Sequence, residues 1–150
     1  MNSASIFLAL EKKLPKDEIL KQKLIDKLDT LSDEQRDRVF ERIPFLKLKS
    51  PAVIFWVGSF LLGHFGVNRF MIGETLMGAL KLGLYLISVV VDVFDSDEMS
   101  ILYGILTIGV LIWWIADLFT TGPKVRKENL DKIFYVINEV KNTKGDKNVE

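Results

Sequence analysis

The chain has 150 residues, enough for one ordinary domain and too few for two comfortable ones. Its 20 basic and 20 acidic side chains cancel, so nothing pulls it globally toward nucleic acid or another polyanion. With no cysteine and one histidine, disulfides, thiolate metal sites, thiol catalysis and a zinc site of several imidazoles are all excluded. Charged residues make up 27% of a chain whose mean hydropathy is +0.21. Those values coexist only if charge and apolarity are segregated along the sequence. They are: residues 1–50 carry eleven basic and nine acidic side chains, and residues 124–150 carry seven and five. The stretch 51–123 carries only Arg69 and Lys81 against Glu74, Asp92, Asp95, Asp97, Glu98 and Asp117.

Residues 1–48 read as a helical arm. Ile19, Leu20, Leu24, Ile25 and Leu28 recur at helical spacing after Pro15, which serves as a start signal. Ser32 with Gln35 forms a capping-box pattern, opening a helix through Val39, Phe40 and Ile43 to a break at Pro44. Some 50 residues make a marginal core alone, so this arm needs a partner surface.

The first apolar run, 51–73, is thinned by Gly58, Ser59, Gly63 and Gly66 and ends in His64, Asn68 and Arg69. Its strongly apolar part, Ala52 to Leu62, covers about 17 Å as a helix. It reads either as a short span or as a re-entrant hairpin. Residues 75–94 and 100–121 are each long enough to cross about 30 Å of hydrocarbon. Buried core helices would need a chain large enough to wrap stretches apolar on every face, and this one is too small. The expected fold is therefore all-α: a helical integral membrane protein with a compact membrane hairpin and amphipathic cytoplasmic helices at both ends.

Beyond a helix stop at Gly122-Pro123, residues 124–141 carry an apolar stripe of Leu130, Ile133, Phe134, Ile137 and Val140. Three fates stand open for it, in this order: docking on the N-terminal helices, lying on the membrane, or binding another protein. The tail 142–150 is polar and expected to be disordered.

Arg36, Arg38, Arg42, Lys47 and Lys49 precede the apolar block, and Lys124, Arg126, Lys127 and Lys132 follow it. The connector 95–100 holds three acids and no base. By the positive-inside rule both termini are cytoplasmic and the connector is external. An even number of crossings follows, so 75–94 and 100–121 cross and 51–73 enters and returns. The expected location is a bacterial-type plasma membrane.

Within the block, Arg69, Glu74, Lys81 and Asp117 fall at similar depth. An intramembrane carboxylate faces the bundle and finds a partner, and both Arg69 and Lys81 are within reach of Asp117. Lys81 can instead snorkel to the surface. Trp113 and Trp114 read as interfacial anchors. The small-residue pairs Ser59/Gly63, Ala79/Gly83 and Ser100/Gly104 permit close helix approach. His64 reads as a turn residue bonding backbone.

Residues 63–73, Gly-His-Phe-Gly-Val-Asn-Arg-Phe-Met-Ile-Gly, resemble the first signature of the TM2 domain family. Gly78 with Leu80-Lys81-Leu82 is similar to its next element, and residues 112–119, including Trp113, Trp114 and Asp117, resemble its closing element. The match covers 51–122. Asn68 stands where the family has aspartate or histidine, Met71 replaces a tyrosine, and 86–103 looks like an insertion. The resemblance implies an integral membrane protein whose motif residues are Gly63, Gly66, Asn68, Arg69, Phe70, Gly73, Gly78, Lys81, Trp113, Trp114 and Asp117. It also describes two membrane segments around the arginine-phenylalanine turn, which makes 51–67 a full span.

No nucleophile–base pair, metal cluster or phosphate loop stands out, so neither a catalytic residue nor a cofactor is expected. The leading expectation is a non-enzymatic membrane module that scaffolds or regulates a partner through its cytoplasmic arms. The alternative is an oligomeric pore or transport accessory, for which only Tyr85, Ser88, Tyr103 and Thr107 offer a polar stripe. The partners implied are the lipid bilayer and a protein or a second copy, with no nucleic acid.

Overall fold

Local signals start the first three helices. In the computed structural model, which describes residues 2–93 and 97–143, the Asn2 side chain caps α1 (Ser3–Leu10) and Asp17 caps α2 (Glu18–Asp29). Ser32 and Gln35 close a reciprocal capping box on α3 (Asp33–Arg42). Each cap satisfies an amide that the first helical turn would otherwise leave unbonded. No strand occurs among the described residues. The chain divides into two compact units, Met1–Ser50 with Val125–Glu150, and Pro51–Lys124.

The first unit is built on one core. Ile6, Leu10, Leu14, Leu24, Leu28 and Val39 of the N-terminal segment pack with Leu130, Ile133, Val136, Ile137 and Val140. Each such side chain contributes about 1.5–3 kcal/mol on burial, so the two marginal halves stabilise each other. Docking on the N-terminal helices is thus the arrangement adopted by the C-terminal stripe. Ile19 departs from the expected face and is 78% exposed. It lies one position, about 100° of helix rotation, from Leu20, and so off the face that carries Leu24 and Leu28. Polar bonds fasten the connections. Buried Asn129 donates Nδ2 to the carbonyls of Lys13 (3.0 Å) and Lys49 (2.8 Å) and accepts from the Lys49 amide at 3.0 Å. The Arg126 guanidinium donates to the carbonyl of Leu14 at 2.7 Å.

In the second unit, residues 51–73 form no single helix. They break into α4 (Pro51–Val53), a π-helical run (Ile54–Leu61), a 3₁₀ turn (Gly63–Phe65) and α5 (Val67–Ile72). Gly66 and Gly73, at φ 72° and 91°, end the last two pieces in the left-handed conformation that glycine adopts without strain. Among the described residues only α6 (Thr75–Val93) and α7 (Asp97–Asn142) contain stretches long and apolar enough to cross a membrane. Only 22% and 17% of those stretches are buried within the chain.

The expected stop at Gly122-Pro123 does not occur, and the expected separate helix 124–141 is the end of the 46-residue α7, with Pro123 inside it. An interior proline costs about 3 kcal/mol through one lost hydrogen bond and a ring clash. Side chains on both sides of it are buried, Thr121 at 2% exposure and Val125 at 0%, and that packing offsets the cost. The acidic connector falls partly, and the expected disordered tail almost wholly, outside the described residues.

Candidate functional site

α5, α6 and α7 converge on one carboxylate. Asp117 and Lys81 are both 0% exposed, and Asn68 beside them is equally buried. The Lys81 ammonium donates to Asp117 Oδ2 at 2.6 Å, and Asn68 Nδ2 donates to the same oxygen at 2.8 Å and to Thr121 Oγ1 at 3.3 Å. Arg69 donates to Asp117 Oδ1 from Nε at 3.1 Å and from Nη2. Its third nitrogen, Nη1, donates to Glu74 at 2.5 Å, and Lys124 closes the far side of Glu74. Three cations, Arg69, Lys81 and Lys124, thus meet two anions, Asp117 and Glu74, leaving one surplus positive charge.

The convergence explains the residue types. A planar guanidinium can reach one carboxylate on two edges and still serve a second, which lysine at position 69 could not. Lys81 does not snorkel: it points into the bundle, 5.9 Å from the centre of the Trp113 ring. Burying an ammonium is tolerable only when it is paired and hydrogen-bonded, and Asp117 provides both. Asn68 is suited to its place for the same reason. An aspartate there would replace a donor by a second carboxylate against Asp117.

The glycines make room for this meeting. A Cβ on Gly66 would lie 2.7 Å from the Gly78 carbonyl oxygen, and one on Gly78 would lie 2.9 Å from the Phe70 ring. Gly63 faces the Trp114 indole at a similar distance, whereas Gly73 faces open space. Of the small-residue pairs, Ser59/Gly63 is buried at this contact. Ala79 is exposed, and Gly83 and Gly104 face open space, while the side chain of Ser100 lies outside the described residues.

Two readings of single residues need correction. Trp114 is a packing residue and not a free interfacial anchor: its indole N–H donates to the Ser59 carbonyl at 2.7 Å, and its ring stacks on His64 at 4.9 Å. His64 is therefore placed by an aromatic stack and not by a backbone bond. The π-helical run sets the Ser59 carbonyl in the indole's path, a use of non-α backbone typical of special contacts. Neither the Glu74–Lys124 pair nor the buried Asn129 clasp was signalled, because a single polar residue whose partner is distant in sequence has no spacing pattern to betray it.

Compared with known proteins, the chain matches no family model, no curated protein and no solved structure. Among the described residues no group of acidic and histidine side chains is placed to hold a metal. The charged groups of the cluster spend their bonds on one another, so the arrangement is suited to fastening helices together.

Proposed function

We propose that the chain is a multi-pass integral membrane protein of the TM2 type, a non-enzymatic module that scaffolds or regulates a partner through its helical cytoplasmic unit. The observation that carries the reading is the uncovered apolar surface of α6 and α7, of which only 22% and 17% is buried within the chain. A bilayer is the solvent that accepts such faces. The topology has independent support. Residues on both sides of the apolar block share one hydrophobic core, so both ends of the chain lie on the same side of any membrane it crosses. That requires an even number of crossings. α6 and α7 supply two, leaving 51–73 as a re-entrant segment, and the basic flanks assign the shared side to the cytoplasm of a bacterial-type plasma membrane.

The TM2 resemblance is supported by the meeting of its three separated elements. Arg69 comes from the first, Lys81 from the second and Asp117 from the third, and all three join in one cluster. Alkaline extraction of membranes tests the integral character: the protein should stay in the pellet, and release into the supernatant would overturn it. Ion flux into liposomes carrying the purified protein tests the role. A scaffold leaks no more than empty liposomes, and flux that scales with protein would support the pore or transport accessory instead. That alternative has one observation in its favour, the gathering of Tyr85, Ser88, Tyr103 and Thr107 around one cavity.

A further inference from the structure

Between α6 and α7 lies a cavity of about 360 Å³, within the range of small-molecule sites. Its polar lining is His64, Tyr85, Ser88, Asp92, Tyr103 and Thr107. Tyr85, Ser88 and Asp92 follow one another at three- and four-residue steps, which puts them on one face of α6. Tyr103 and Thr107, four apart, do the same on α7. Asp92 stands about 10 Å along α6 from Tyr85, so the cavity runs lengthwise with an acid toward one end.

The chemistry of this lining is one-sided. Among the described residues its one acidic group is Asp92, which has no ion-pair partner there, and no lysine or arginine lines the space. Ser88 gives its hydroxyl proton to the Tyr85 carbonyl at 2.7 Å, leaving its oxygen free only to accept. Two tyrosines line the space, and aromatic rings attract cations over their faces. Two contacts place the walls in advance: Phe65 packs edge-on against Tyr85 at 4.9 Å, and Trp114 stacks on His64.

We propose that this cavity binds a small organic cation, an alkylammonium with a hydrogen-bonding group at its other end. Asp92 supplies the counter-charge, Tyr85 and Tyr103 the aromatic walls, and His64 or Thr107 the bond to the distal polar group. The ammonium comes either from a free amine or from an amine-bearing lipid headgroup, and both present the same chemistry to Asp92. The site belongs to the helix pair and is independent of what the cytoplasmic unit binds, so its failure leaves the scaffold reading untouched.

The test uses the full chain in phosphatidylglycerol nanodiscs, titrated by calorimetry against an empty-disc blank. The probes are choline and its uncharged isostere 3,3-dimethylbutan-1-ol. Choline should bind saturably and about tenfold or more tighter than the isostere, a comparison made on the unaltered protein. Asp92→Asn, a change at an exposed side chain, should weaken choline at least about tenfold and leave the isostere unchanged. Loss of choline binding when phosphatidylethanolamine is added to the discs would assign the site to a lipid headgroup, and undiminished binding would assign it to a free amine. Absence of saturable binding, equal affinity for the two probes, or unchanged choline affinity in Asp92→Asn overturns the proposal.

Discussion

Asp117→Ala is the sharpest perturbation of the cluster, because the carboxylate accepts from three side chains and is itself fully buried. Removing it leaves Arg69 with Glu74, but Lys81, also fully buried, loses its anion. Stranding one partner of a buried pair costs about 3–5 kcal/mol. Lys81→Met is the milder cut. Asp117 then retains Arg69 and Asn68, and the loss of one charge-assisted bond is partly offset by no longer desolvating an ammonium, for a net cost of about 1–2 kcal/mol. The double variant removes both charges together, so it should cost about 1–3 kcal/mol less than the sum of the single changes. Thermal unfolding in nanodiscs, followed by the fluorescence of the three tryptophans, reads these differences. Asp117→Ala should lower Tm by about 10–15 °C and Lys81→Met by about 3–6 °C. Strict additivity, or an Asp117→Ala protein within about 2 °C of wild type, would refute the claim that the helices are fastened through this carboxylate.

Gly66→Ala should be far more damaging than Gly73→Ala, as read by the yield of folded protein in detergent. Both strain a left-handed backbone by about 1–2 kcal/mol, but only at position 66 would the new Cβ meet a carbonyl oxygen at 2.7 Å. In the other unit, burial alone would push the Glu128 carboxyl up. Hydrogen bonds from Lys132 and Lys49 outweigh that effect and hold it below the usual carboxylate range. A lowered folded value means that its stabilisation is complete above the unfolded value of about 4.3 and is lost as pH falls through the folded one. Glu128→Gln should therefore flatten the acid limb of a stability-versus-pH curve, and an unchanged limb would count against the pairing. Topology can be read with single cysteines at Lys16, Ser96 and Thr143 in this cysteine-free chain, using an impermeant thiol reagent on intact cells. Labelling should occur at position 96 alone, and labelling at either of the others would exclude two crossings with both ends in the cytoplasm. Lys16 is exposed and suits the purpose.

Much of this architecture is written locally. The Ser32–Gln35 capping box, the helical stripe of residues 130–140 and the apolar length of α6 and α7 depend on spacing within one segment, so they can be read without knowing what lies opposite. The opposite charges of Arg69 and Asp117 were legible as well, since a carboxylate in an apolar run needs a partner and few cations were within reach. What spacing cannot give is the balance between a local preference and a distant contact. Gly122-Pro123 is a stop signal on any local scale, yet α7 runs through it, because buried side chains on either side outweigh about 3 kcal/mol of proline cost. Lys81 had two outlets, surface water or Asp117, and only the approach of α5 and α7 to α6 selected the second. Trp114 likewise looked amphipathic in isolation and became a packing residue once the π-helical run offered it the Ser59 carbonyl. The sequence by itself determined the apolar faces and the helices whose limits are set by neighbours along the chain, such as α3 and α6. The tertiary structure alone decided which polar groups find partners, because a hydrogen bond between residues 48 positions apart exists only after the backbone has brought them together.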